Sequence, residues 1–216
     1  MDFMTYVIDS LPYLLDGLAF SLKLFCVVAL VGFPLSILLA ILKTFGPRWL
    51  RALLNFYTWV FRGSPLLLQL SLAYFGLPVL GIVLPTDVVI FSIFILSATA
   101  YETEVMRGGL ISIENGQYEA CQALGMNKFQ TMLRIIVPQT IRKVLPPTCS
   151  EAIILFKDTS LVTAVAKFDL LRAAKNLVIT DARVDAFVIA LFFYLLFSSI
   201  LVIVFGRLEK RMAARS

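Results

Sequence analysis

The sequence predicts an all-α integral membrane protein: one bundle of about five transmembrane helices with a short helix projecting at one end. Three observations predict it. Of the 216 residues, 60% are hydrophobic and only 15% charged, where a soluble domain has nearly half and about a quarter. So few charged groups cannot cover a water-facing surface, and the mean hydropathy is +0.90. The apolar residues also fall into runs of the roughly 20 residues that a helix needs to cross hydrocarbon. Finally, Lys and Arg collect in alternate connections between those runs, the pattern of membrane anchoring and not of a nucleic-acid-binding stripe, although the net charge is +5.

The elements follow in order. Residues 1–17 hold Asp2, Asp9 and Asp16 and no Lys or Arg, whereas a cleavable signal opens with basic residues. The first apolar run, about Gly17 to Leu42 with Lys23 near its start and Pro34 inside, is therefore expected to stay as a membrane helix. The second runs from about Leu53 to Leu80 and carries Arg62-Gly63-Ser64-Pro65, a break signal. The third covers about Val88 to Met106, and the fourth about Ile135 to Val165, interrupted by Pro138, Pro146 and Pro147. The fifth spans about Ala186 to Phe205. Together they are expected to make 1–216 a single transmembrane domain with no room for a separate soluble one.

Orientation follows the basic residues. Lys43, Arg48 and Arg51 follow the first run; Arg107, Lys128, Arg134, Arg142 and Lys143 flank the connection after the third; Arg207, Lys210, Arg211 and Arg215 follow the fifth. None precedes the first run or separates the second from the third, so the N-terminus is expected outside and the C-terminus in the cytoplasm. Residues 157–185 resist this pattern. Lys157, Lys167, Arg172, Lys175 and Arg183 fall on the outer side, interleaved with Asp158, Asp169, Asp181 and Asp185; either local pairing offsets them or one of the five segments is misplaced. Cys26, Cys121 and Cys149 are widely spaced, histidine is absent, and no metal-ligand spacing occurs.

The cytoplasmic connection, about 107–134, carries most information. Gly108-Gly109 and Asn115-Gly116 are breakers fencing a short helix, about Gln117 to Leu124, which Gly125 stops. Ala120, Cys121, Ala123 and Gly125 are small and let another surface approach the backbone. Such a helix reads either as a docking knob for a cytoplasmic partner or as a connector lying on the headgroups.

This stretch resembles the coupling loop of ABC importer permeases: Glu-Ala-Ala, then Gly, then a later hydrophobic-Pro pair. The corresponding residues here are Glu119-Ala120-Cys121, Gly125 and Val137-Pro138, with Cys121 in place of the second alanine. Further stretches resemble the polar amino acid (histidine, glutamine and arginine type) branch of that family. They are RGSPLLLQL (62–70), YFGLP (74–78), SATAYETEVMRGGL (97–110), GQYEACQALG (116–125), VPQTIRKVLPP (137–147) and LFKDTSL (155–161). The resemblance implies a type I importer transmembrane domain in the bacterial cytoplasmic (inner) membrane. It also implies pairing with a second permease subunit, identical or related. Two ATPase subunits would bind ATP and Mg beneath, and an extracytoplasmic binding protein would deliver an amino acid. The expected ATPase-coupling residues are Gly116, Glu119, Ala120, Cys121, Ala123 and Gly125. The chain needs no cofactor of its own, and independently of the resemblance it lacks a G-x-x-x-x-G-K-[ST] phosphate loop.

Charges inside the apolar runs are the candidate pathway residues, because each is costly in lipid unless paired or hydrated. Glu151 and Asp158 stand two helical turns apart and share one face. They read either as an acidic stripe for a cationic group, which favours a basic amino acid, or as structural partners of Lys157, Arg62 or Lys23. Arg62, beside Ser64 at the break in the second run, reads as a substrate-carboxylate ligand or, preferred here, as a brace for freed carbonyls. Gln69, on about the same face, offers a further polar contact. Glu104 is expected to pair with Arg107, three residues on, and Glu102 is grouped with it, as an interfacial salt bridge in preference to a proton relay. Asp158-Thr159-Ser160 reads as a half-helix cap or as a solvated turn. An ion-coupled carrier also fits buried acids and broken helices. A membrane-embedded enzyme fits worst, for want of metal ligands or a nucleophile–base pair.

Overall fold

The computed structural model describes residues 2–213 and is helical almost throughout. Helix α1, Phe3–Phe45, runs 43 residues, about 64 Å at 1.5 Å per residue, twice the roughly 30 Å of a hydrocarbon core. It therefore begins well before the expected Gly17. Helix α2, Arg48–Gly63, and α3, Leu66–Val79, are the two halves of the expected second segment, parted at Ser64-Pro65. Helix α4 is Thr86–Ile111 and α5, the short helix, is Asn115–Ala123. Helix α6 is continuous through Lys128–Thr131, Met132–Ile136 and Val137–Asp158, and ends in a 3₁₀ stretch, Thr159–Val165. Helix α7 is Leu170–Asp181, and α8 is Asp185–Ala213. Arg215 lies outside the described residues.

Three of these helices, Phe3–Phe45, Thr86–Ile111 and Asp185–Met212, are long and apolar enough to cross a membrane. Helix α1 packs mainly on α4, and α6 lies between α4 and α8. The core follows the bundle axis. Leu14, Leu170, Ala174 and Ile189 pack at one end, Leu24, Val28, Phe94 and Val162 in the middle, and Ala40, Met106, Ile113, Ile136 and Val144 at the α5 end.

The prolines act differently from expectation. Pro138, Pro146 and Pro147 do not break α6. A π-turn over Met132–Ile136 precedes Pro138, and another over Leu72–Gly76 precedes Pro78 in α3. A proline ring collides with the carbonyl four residues back and offers it no N–H, and a locally widened helix accommodates both effects. Gly108-Gly109 do not break α4 either. A Cβ on Gly109 would stand 2.9 Å from Thr140 Cγ2 and closer still to Val144 Cγ1, so this glycine exists to let α6 approach.

The ambiguous stretch 157–185 is partly explained. Lys167 pairs with Asp87 at the start of α4, Arg183 with Asp185 at 2.6 Å, and Asp181 accepts from Tyr6 of α1 at 3.1 Å. Asp169 is fully buried and caps α7, accepting from the backbone N–H of Leu171 and Arg172. The three cysteines are free.

Candidate functional site: an acid-lined cavity and a mounted surface helix

A cavity of about 760 Å³ opens where α1, the α2–α3 break, α4, α6 and α8 meet. Its wall is largely apolar, with Phe25, Val28, Phe94, Leu145, Leu155 and Leu201 among the contributors. Against that wall stand Glu102 and Tyr101 from α4, Thr148, Glu151 and Asp158 from α6, and Ser64 from the break. Three carboxylates and no Lys or Arg line it among the described residues. The α6 contribution follows from spacing: Thr148, Glu151, Leu155 and Asp158 are three, four and three apart, one helical face.

Glu102 is the functional candidate that sequence reasoning missed. Proximity in sequence groups it with Glu104, yet two residues on an α-helix point about 200° apart. Glu104 turns away from the cavity and is held by Lys43, by Arg107 at 2.9 Å, and more distantly by Arg62 at 4.0 Å. Glu102 turns into the cavity, is 8% exposed, and has no hydrogen-bond partner at either carboxylate oxygen among the described residues. Its polar neighbour is the Thr148 hydroxyl of α6, which interacts with the carboxylate without closing a hydrogen bond of normal geometry. An acid buried in a membrane span with no ion-pair partner among the described residues is a candidate binding group. The only signal in the sequence is its position a turn inside the third apolar run.

The break at Ser64-Pro65 is braced by Gln69 and not by Arg62. Gln69 Nε2 lies within donor distance of the Phe61 carbonyl at 2.8 Å and of the Ser64 carbonyl and hydroxyl, both at 3.0 Å. Ser64 in turn donates to the Val60 carbonyl at 2.7 Å. Arg62 reaches outward instead, 45% exposed, over the Tyr101 ring at 5.6 Å. Asp158-Thr159-Ser160 is not a cap: Asp158 makes no capping bond. Thr159 and Ser160 donate back to the carbonyls of Phe156 and Lys157, at 2.7 and 2.8 Å.

At the far end, α5 stops in a Schellman turn. Gly125 lies at φ +70°; its N–H bonds to the Gln122 carbonyl and that of Met126 to Cys121, each at 3.0 Å. The helix is mounted on the bundle by Tyr118 against Phe45, by Gln139 donating to Gln117 at 3.1 Å, and by Cys121, which is buried. Cys121 is therefore part of the mounting and not of the outer face. Gly116, Glu119, Ala120, Ala123 and Gly125 are exposed. Beside them Leu124 is 80% exposed, an apolar contact surface absent from the expected set.

Residues 32–214 match the family described as "Binding-protein-dependent transport system inner membrane component". The chain belongs to this family. It is a non-catalytic, multi-pass component of the bacterial cytoplasmic membrane, and ATP hydrolysis lies in separate subunits. Curated relatives agree with this permease assignment. The arginine transport system permease protein ArtQ of Bacillus subtilis is 38% identical over 171 residues, 77% of each chain. The putative glutamine transport system permease protein GlnP of Rickettsia prowazekii is 36% identical over 164 residues, 76% of this permease and 75% of the relative. The glutamate/aspartate import permease protein GltK of Escherichia coli is 34% identical over 219 residues, covering 96% of both. Among solved structures, an amino acid ABC transporter crystallised with histidines superposes with a TM-score of 0.87 at 28% identity, covering 98% of this permease and 99% of that chain. Family membership decides between the ATP-driven importer and the ion-coupled carrier in favour of the importer.

Proposed function

We propose that this permease imports a cationic amino acid, with the α-ammonium and basic side chain held by Glu102, Glu151 and Asp158. The carrying observation is the charge of the cavity: three carboxylates, one of them buried without an ion-pair partner among the described residues, and no basic residue in the lining. A neutral or acidic amino acid would leave that charge uncompensated in a largely apolar enclosure. Arg62 stands outside the lining yet near enough to act electrostatically on Glu151. It is the group to meet an α-carboxylate at the rim or to balance Glu151 while the cavity is empty. The relatives' names span glutamine, arginine and glutamate/aspartate, so the lining and not the family selects among them.

The topology in this reading is five crossings, by α1, α2 with α3, α4, α6 and α8, with the N-terminus outside and α5 in the cytoplasm. Two permease subunits pair above two ATPase subunits, and each ATPase receives one α5 through Gly116, Glu119, Ala120, Ala123, Leu124 and Gly125. Uptake of labelled arginine, lysine, histidine, glutamine and glutamate by cells carrying the complete transporter tests the substrate assignment. The cationic members should compete with one another for uptake; transport of glutamine or glutamate to their exclusion would overturn it. Labelling single cysteines at positions 119 and 124 from the cytoplasmic side only tests the orientation.

A further inference from the structure

A second cleft, about 450 Å³, lies between the end of α1, the start of α2 and the last turns of α4. Its charge is opposite to that of the substrate cavity: Lys43, Arg48, Arg51 and Arg107 line it with Glu104 as the single carboxylate. Lys43 and Arg107 are committed to Glu104. Arg48 and Arg51 make no ion pair among the described residues, and Arg51 Nε is a buried donor with no acceptor. A buried N–H left unpaired beside surplus positive charge calls for an anion with several acceptor oxygens.

We propose that this cleft holds the phosphate of an anionic phospholipid from the leaflet on the α5 side of the membrane. Three features favour a lipid over a protein carboxylate. Glu104 and Arg107 precede the end of α4 by seven and four residues, about 10 and 6 Å. The cleft thus runs inward from Arg48, the first residue of α2, to a Glu104 floor at headgroup depth, beyond the reach of a protein seated on the helix ends. The face of α2 adjoining the cleft presents Trp49, Leu53, Phe56 and Trp59, all exposed, a surface along which acyl chains lie and at which tryptophans anchor at the interface. Basic pockets between membrane helices on the cytoplasmic side also suit anionic headgroups in general. The proposal uses the orientation above only to name the leaflet and is independent of the transported substrate.

The test is native mass spectrometry of the purified transporter titrated with phosphatidylglycerol and, separately, phosphatidylethanolamine. Wild type should retain phosphatidylglycerol about tenfold better, the size expected for losing one bidentate charge contact. R48Q/R51Q should abolish that preference, R48K/R51K should keep most of it, and K210Q/R211Q at the end of α8 should not change it. Melting curves on each variant establish that it is folded. Equal preference in wild type and R48Q/R51Q overturns the proposal. So does full displacement by millimolar inorganic phosphate, which would assign a free-ion site. Retained lipid with loss of the copurifying ATPase in R48Q/R51Q would assign the cleft to a partner's acidic side chain and likewise overturn it.

Discussion

Glu102 and Glu104 show how much one turn of helix decides. In sequence they are equivalent acids near the end of an apolar run. In the bundle one is held by Lys43 and Arg107, and the other faces a cavity with no ion-pair partner among the described residues. Burial and direction are tertiary facts, so only the pair with an internal clue, Glu151 and Asp158 at seven-residue spacing, was legible. Glu102→Gln keeps the shape and removes one of three charges. It should weaken transport of a cationic amino acid about tenfold, ~1.4 kcal/mol, and that of any neutral one less than about twofold. Asp158→Asn should act in the same direction, and equal effects on both substrate types would make these carboxylates structural. Asp169 gives a prediction about stability. Burial pushes its carboxyl up to about 6, against the opposing pull of the Leu171 and Arg172 N–H groups. The folded chain thus binds this proton more tightly than the unfolded chain. The stability it confers is complete below about pH 4 and is lost as pH rises through about 6, up to ~3 kcal/mol in all. Asparagine keeps the cap without the charge, so Asp169→Asn should flatten the fall in melting temperature between pH 5 and pH 7.5. An unchanged pH slope would refute the assignment.

Helix ends were more legible than helix interiors, for a physical reason. A terminus has local chemistry: Gly125 supplies φ +70°, and Asn127 and Gln130 form a reciprocal capping box at 2.9 and 3.0 Å. Of these only the Gly125 stop was legible in the sequence; the capping box was not, and Asn115-Gly116, expected to be breakers, are the first two residues of α5. The effect of a proline inside a helix is not set locally, because neighbouring helices and π-turns decide whether the chain continues. Hence Ser64-Pro65 parts α2 from α3, while Pro146-Pro147 leaves α6 intact. Gly108-Gly109 misled in the same way: the glycine that matters serves packing and not a turn. At α5, Gly125→Pro removes the N–H that closes the Schellman turn on Gln122 and cannot adopt the positive φ. It should abolish coupled uptake while the protein still inserts and folds. Glu119→Lys should do the same by reversing charge on the exposed face. Normal uptake in both variants, with quantified membrane insertion, would dissociate α5 from the ATPase.

Across the whole molecule, the short helix and the acidic cavity are joined by the same two helices. Helix α4 carries Glu102 and runs into α5; α6 leaves α5 and carries Glu151 and Asp158. Motion of α5 therefore reaches all three carboxylates without passing through any other element, provided that α4 and α6 keep their register. That register is set where Gly109 meets Thr140 and Val144, with no space for a Cβ. A side chain there must separate the helices near the point where the lever is attached. Gly109→Val should lower the melting temperature, with overpacking costing about 1–3 kcal/mol. In the assembled transporter it should also uncouple ATP hydrolysis from uptake more severely than that loss of stability explains. Trimming the opposing side, Val144→Ala with Thr140→Ser, should restore both properties together, because the clash is then relieved from the other helix. If the compensating pair rescued stability but not coupling, the contact would be only packing, and force from α5 would have to reach the cavity by another route.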